Sequence, residues 1–456
     1  MKNILIVVLF LFSFQFVDAF ESKYWISFKD KNNTPYQIQN PNKYLSSKSI
    51  ERRKKQGISI DSTDLPVNPK YVSEIKKTGA TVLGTSKWMN GVIVLASDTA
   101  IVNKIRVLPF VEDVELTWEG LTSDFTKKKA IKIKKKPEDK PASDYYGRTA
   151  EQIEMLNGSK LHELGFRGKG LQIAVIDAGF LNANKLSVFD SLYIKKRILG
   201  TKDFVTPSIS NVYLEHQHGT MVLSTMAGNI PYVMVGTAPE ASYWLIRTED
   251  VNTEYPIECD YLVAALEFAD SAGVDIANIS LGYSIFDNKS MDYTYGSLDG
   301  KSVRVTQAAT IAARKGMIIV SSAGNEGNKD WGYITVPSEA DSIITAGSVT
   351  FDSTKSAFSS HGPTADGRIK PTVSALGTSV SVISSKNTIE KANGTSFSSS
   401  ILAGMVACLW QSLPQLNNIE IIELIKNSGS KANNPNNSVG YGIPDFYAAY
   451  KAGVGK

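Results

Sequence analysis

The chain has two cysteines and four histidines among its 456 residues, too few to make a zinc centre of thiolate and imidazole ligands probable from the sequence. Cys259 and Cys408 could form one disulfide, but their positions alone do not decide whether they pair. Cys408 falls in an apolar, small-residued stretch, where cysteine serves as a small hydrophobe rather than a nucleophile. Charge of one sign is also scarce. The formal net charge is +4, and no basic stretch is interleaved with aromatics, so nothing supports nucleic-acid binding. Beyond the N-terminus there is no long apolar run, and no stable membrane span is expected.

What is present is a set of short apolar runs that end in chemically useful residues. Leu171 to Ile176 is nearly unbroken and entered through Gly168-Lys169-Gly170, the pattern of a parallel strand buried on both faces. Asp177 falls at the carboxyl end of that strand, where open parallel sheets place their ligand crevice. Taken alone, it could equally cap the turn before Gly179.

The scarcity of histidine narrows the choice of a base to His162, His216, His218 and His361. His218 is followed by Gly219 and Thr220 and then by apolar residues at helical spacing, so its imidazole is expected at the start of a buried helix. His216 lacks a small neighbour that would let another backbone approach, and reads as solvent-facing loop. His361 belongs to a turn in Ser359-Ser360-His361-Gly362-Pro363, and His162 precedes the parallel strands.

Ser396 opens Ser396 to Trp410, a run of small and apolar residues that reads as a central buried helix. A hydroxyl there lies near free N–H groups and the positive end of the helix dipole, which favour an oxyanion. The plain alternative is an N-cap. A fourth element, Met317 to Val320, is another buried strand that runs into Ser321-Ser322-Ala323-Gly324-Asn325-Glu326-Gly327. It puts the amide of Asn325 at the same sheet edge, where its plain role would be that of a polar turn residue.

Asp177, His218 and Ser396 in this order, with Asn325, resemble the subtilisin-like serine endopeptidases. The resemblance runs from near Tyr145 to the C-terminus and takes in Gly236 to Ala241, Gly362 to Pro371 and Gly440 to Asp445. It implies a three-layer α/β fold with a mainly parallel central sheet. It implies Asp177, His218 and Ser396 as catalytic residues and Asn325 as an oxyanion donor. Ser280, Leu281 and Gly282, with Ala323 and Gly324, would bind an extended protein or peptide substrate through backbone pairing. No cofactor is required for such chemistry and no metal ligand is assigned. Structural calcium is common in the family, but no acidic loop here can be matched to a calcium site. Glu326 could favour a basic or polar side chain at the scissile position. Three residues depart from the pattern: Ala178 beside the acid, Phe397 after the nucleophile and Ser400 in place of proline. The rival reading keeps the frame and drops the catalysis, leaving a secreted binding or scaffold protein.

Lys2, the apolar run Ile4 to Phe16 and Val17-Asp18-Ala19 resemble a signal peptide over residues 1–19, implying export. Residues 20–122 carry strand patterns at Tyr24 to Phe28, Thr81 to Thr85, Gly91 to Ala96 and Val111 to Leu116. Helical patterns fall at Val72 to Lys77 and Thr99 to Leu108. Such a small α+β unit ahead of a subtilisin-like domain resembles the family's inhibitory propeptide. The alternatives are an accessory domain or an inhibitor of other proteases. Residues 123–145 read as a Lys-rich linker suited to cleavage, and residues 146–456 as the catalytic domain.

Overall fold

The computed structural model describes residues 21–120, 144–207 and 211–455. The expected signal peptide and nearly all of the Lys-rich linker lie outside the described residues.

The N-terminal unit is a four-stranded antiparallel sheet of β1 (Glu21–Phe28), β2 (Thr81–Ser86), β3 (Gly91–Ala96) and β4 (Val111–Gly120), ordered β2-β3-β1-β4. Helices α1 (Ser47–Lys55), α2 (Pro69–Lys77) and α3 (Thr99–Arg106) complete it. Alternation along a strand sends successive side chains to opposite faces, and the unit uses both. Ile26, Phe28, Val92 and Val94 pack with Ile75 and Ile105 in its own core, while Trp25 and Ile93 pack outward against Ile257 and Tyr261 of the following domain.

Downstream, seven strands form one parallel sheet: β5 (Gln172–Asp177), β6 (Ile198–Asp203), β7 (Ser242–Arg247), β8 (Ile276–Ile279), β9 (Ile318–Ser322), β10 (Ile344–Val349) and β11 (Val373–Leu376). Their order is β11-β10-β9-β8-β5-β7-β6. After β5 the chain builds first to one side and then to the other, so the crevice outside its carboxyl end is a topological switch point.

Helices α4 (His218–Ala227), α5 (Ile257–Ala272), α6 (Arg304–Arg314) and α7 (Thr395–Ser412) sandwich the sheet. Ile173 and Val175 of β5 pack with Val222 of α4 and Ile401 of α7. Ala174 and Ile176 face Leu262 of α5 and Ala309 of α6. Both faces of β5 are therefore dry, which is why its sequence is apolar without alternation. The expected three-layer α/β architecture is what the structure has.

Helix α1 was not expected from the sequence, because SKSIERRKK has a single strongly apolar residue. Its docking is ionic. Arg52 and Arg53 reach Asp270 at 2.5 and 2.8 Å, and Lys87 joins them at 3.0 Å, with Asp270 fully buried. Gln56, just past the helix, bonds Gly316 and Asn418.

Candidate active site

The acid sits where β5 ends. Asp177 is fully buried, and its Oδ1 accepts from the Ala178 amide at 2.7 Å and meets His218 Nδ1 at 2.7 Å. Its Oδ2 is buried without a partner among the described residues. That is the physical trace of Ala178, which supplies no hydroxyl beside the carboxylate.

His218 is the first residue of α4. The glycine after it is dictated by space, since a Cβ on Gly219 would lie 2.4 Å from the Gly179 carbonyl oxygen and 3.0 Å from Asp177 Cβ. Only hydrogen there lets the helix start come down onto the acid strand. Burial pulls the His218 pKa down, but the charge and hydrogen bond of Asp177 outweigh it and leave the pKa raised above 6.5. The other histidines fall as the sequence suggested. His216 is exposed, and its Nδ1 accepts from the His218 amide. His162 is buried between Tyr146 and the Thr237 carbonyl, and burial lowers its pKa to about 4. His361 bonds the Gly362 carbonyl within its turn.

Ser396 is the second residue of α7 and nearly buried. Its Oγ donates to the Ser280 carbonyl at 3.1 Å, and among the described residues no hydrogen bond joins it to His218. The Phe397 ring lies 5.9 Å from the His218 ring, so the residue after Ser396 packs beside the imidazole. Ser400 keeps the helix continuous. Its Oγ donates to the Phe397 carbonyl and accepts from Thr225 at 2.7 Å, which ties α7 to α4.

Asn325 follows β9 on an exposed turn. Its Oδ1 accepts from the Thr395 amide at 3.0 Å and from the Thr395 hydroxyl at 3.1 Å. Because an amide N–H can only be met by the oxygen, Nδ2 is left, among the described residues, as a donor without a partner beside the start of α7. Ser280 is buried and bonds the Ser396 carbonyl at 3.2 Å. Gly282 is exposed, and neither its amide nor its carbonyl is hydrogen-bonded among the described residues. Ala323 and Gly324 lie buried opposite, at the end of β9.

Several neighbours of the site escaped the sequence reading. Thr395 holds Asn325 in place. Glu249 follows β7 beside the acid strand, where the Thr248 amide donates to the Asp177 carbonyl, and Tyr283 donates to Glu249 at 2.9 Å. Glu249, Glu254 and Glu258 bring carboxylate oxygens within 4.8 Å of one another, the one such cluster among the described residues. Burial, followed by neighbouring carboxylates, raises their pKa values to about 8, about 7 and about 11. At neutral pH the trio therefore carries less than three negative charges. Its only sequence signal is three glutamates within ten residues. Glu326 is half-buried and paired with Lys329 at 2.9 Å, which weakens any pull on a basic substrate side chain. Cys259 and Cys408 are free and buried.

A buried carboxylate on an imidazole, a serine at a helix start and an amide donor, gathered at a sheet switch point, together define a serine hydrolase type of site. Comparison with known proteins gives the family. The chain belongs to the subtilase family, whose model matches residues 168–442, and is a serine endopeptidase of that family. Residues 23–138 match a peptidase S8 propeptide domain of Bacteroidota, so the N-terminal unit is a propeptide and the protein is made as a zymogen. Subtilisin E of Bacillus subtilis is 28% identical over 67% of this chain and 74% of its own length. The thermostable alkaline protease of Halalkalibacterium halodurans is 24% identical over 81% and 91%. The crystal structure of MycP1 from Mycobacterium smegmatis shares the fold with a TM-score of 0.52 and 20% identity, covering 70% of this chain and 91% of that one. Among the described residues no helix is long and apolar enough to cross a membrane.

Proposed function

We propose that this protein is an exported endopeptidase that cleaves proteins or peptides through an acyl-enzyme on Ser396. The observation that carries the reading is the 2.7 Å bond between buried Asp177 and His218 at the start of α4, with Ser396 at the start of the neighbouring α7. Substrate pairs with the exposed backbone of Gly282 and its neighbours. Ser396 turns its hydroxyl from the Ser280 carbonyl to His218 Nε2 by rotation about one side-chain bond. His218 takes the proton as Ser396 attacks the carbonyl carbon, and Asp177 stabilises the imidazolium. Asn325 Nδ2 and the Ser396 amide receive the oxyanion. His218 then protonates the leaving amine, and water releases the acyl group by the same steps in reverse.

Residues 1–19 serve as signal peptide, residues 20–122 as intramolecular inhibitor, residues 123–145 as processing region and residues 146–456 as the mature enzyme. No cofactor enters these steps. The one observation favouring a silent scaffold is the Ser396 to Ser280 bond in place of one to His218. The deciding experiment compares full-length protein with Ser396→Ala. Covalent labelling of Ser396 by a fluorophosphonate, self-cleavage near the linker and peptide hydrolysis are expected of wild type only. A folded wild type that neither labels nor cleaves would establish the scaffold reading.

A further inference from the structure

The amino edge of the parallel sheet carries a cradle for one guanidinium. Helix α5 ends at Ala272 and α6 at Arg314, and carbonyls at and just past these ends converge on Arg52 of the propeptide. Arg52 Nε donates to the Lys315 carbonyl at 3.2 Å and Nη1 to the Val274 carbonyl, while Nη2 donates to the Asp270 carbonyl at 3.3 Å and to Asp270 Oδ1 at 2.5 Å. All of these acceptors belong to the catalytic domain. A glycine after each helix lets the propeptide come this close: a Cβ on Gly273 would lie 2.7 Å from Lys48 Cβ, and one on Gly316 would lie 2.8 Å from Gln56 Nε2. The cradle is remote from the candidate catalytic residues. Val274 and Lys315 stand just before β8 and β9, whereas Asp177 and Asn325 stand at carboxyl ends of strands, and the six residues of β5 separate the two edges by about 20 Å.

The cradle is unfavourable when empty. Asp270 sits in the last turn of α5, at the negative end of the helix dipole, where a carboxylate is opposed rather than favoured. Among the described residues its carboxylate is met only by Arg52, Arg53 and Lys87, so every counter-charge departs with the propeptide. Glu267 then loses the Ser86 hydroxyl and the Lys87 and Trp88 amides, and Asp275 loses Lys48. The catalytic domain's own cation in this network is Lys315, which pairs with Asp61 and Asp64 of the propeptide at 2.9 Å each. Three carboxylates thus face one ammonium. We propose that, once the propeptide is cut away, this face of the mature enzyme binds an arginine-bearing segment of another protein, whose guanidinium takes the place of Arg52. This rests on the protease reading, which supplies the cleavage that frees the site. Arginine is required rather than lysine, because the carbonyls and the carboxylate fan out around a planar five-donor fork that a three-donor ammonium cannot match. A partner held at the amino edge leaves the cleft open.

The test uses self-processed enzyme freed of its propeptide and labelled with a fluorophosphonate, which proves the fold active and stops it from cutting the probe. The probe is a fluorescent synthetic peptide of residues 46–57, read by anisotropy. Saturable binding is expected. A peptide with Arg52→Lys and Arg53→Lys keeps the charge and should bind about tenfold or more weakly, the scale of one lost hydrogen bond to a charged group. Asp270→Asn enzyme that labels like wild type should bind the arginine peptide about thirtyfold or more weakly, the scale of a broken buried charge pair. No binding, equal binding of the two peptides, or unchanged binding by the labelled Asp270→Asn enzyme would overturn the proposal. A wild type that neither labels nor cleaves itself defeats the protease reading separately. The cradle is then decided on full-length Arg52→Ala protein, in which millimolar ethylguanidinium, and not ethylammonium, should restore the hydrogen-exchange protection of α1; absence of that rescue overturns the guanidinium site itself.

Discussion

Replacing Asp270 by asparagine should loosen the propeptide from the catalytic domain without touching the candidate catalytic residues. Asp270 lies near the end of α5, fully buried, and receives Arg52 at 2.5 Å, Arg53 at 2.8 Å and Lys87 at 3.0 Å, all from the propeptide. Burial raises its pKa, but Lys87, Arg52 and Arg53 more than reverse this and bring it to about 2. Asparagine keeps the shape and removes the charge. Removing one partner of a buried ion pair costs about 3–5 kcal/mol. The lower end applies here, because Arg53 retains Asp64 and Arg52 retains the Val274 and Lys315 carbonyls. About 3 kcal/mol corresponds to roughly a hundredfold in the docking equilibrium. The assay is hydrogen exchange of β1 to β4 in full-length Ser396→Ala protein, with and without Asp270→Asn. Exchange about a hundredfold faster in the double variant is expected. Unchanged protection would refute the ionic account and leave apolar packing by Trp25 and Ile93 as the main attachment. The pH window follows from the same group. A carboxylate with a lowered pKa contributes above its ordinary value of 3.8 and loses that contribution only as pH falls through about 2. Mild acid near pH 5 should not release the propeptide through Asp270.

Three further outcomes are expected. Because the His218 pKa is raised above 6.5 and the base must be neutral, kcat/KM should climb with pH and reach half its maximum above pH 6.5; a midpoint well below that value would contradict the Asp177 to His218 coupling. Gly219→Ala would set a Cβ 2.4 Å from the Gly179 carbonyl oxygen and push α4 off the acid strand, costing about 10²-fold in kcat for a shift of roughly 1 Å; circular dichroism should show the fold retained, and full activity would refute the close-approach argument. Asn325→Ala should lower kcat by about 10²- to 10³-fold with little change in KM, a magnitude known from the corresponding loss in subtilisin; an effect confined to KM would assign Asn325 to binding instead.

Much of the catalytic frame was legible because burial on both faces leaves a mark that does not depend on distant partners. The apolar runs at β5 and β9 and the small-residued α7 could be read within a residue or two. In the propeptide, β3 was found as a strand pattern with its bounds, and α2 from helical spacing over Val72 to Lys77, its first turn from Pro69 being missed. His218 was separable from His216 by Gly219, and the structure supplies the reason in the 2.4 Å approach to Gly179. Strand β4 ran longer than its pattern, to Gly120, since its last residues pair with β1 rather than enter the core.

The sequence by itself determined the layered parallel architecture and the family, and it singled out the candidate acid, imidazole, hydroxyl and amide, because periodicity and short motifs are local. Tertiary structure alone decided what depends on residues far apart in the chain. Helix α1 carries almost no apolar signal and is held by Asp270, more than 200 residues away. The glutamates at 249, 254 and 258 became a cluster only when the chain folded back beside the acid strand. Thr335 stands in an unremarkable stretch of sequence, and its side chain is buried where two glycines from separate strand ends, Gly282 and Gly324, leave room for it.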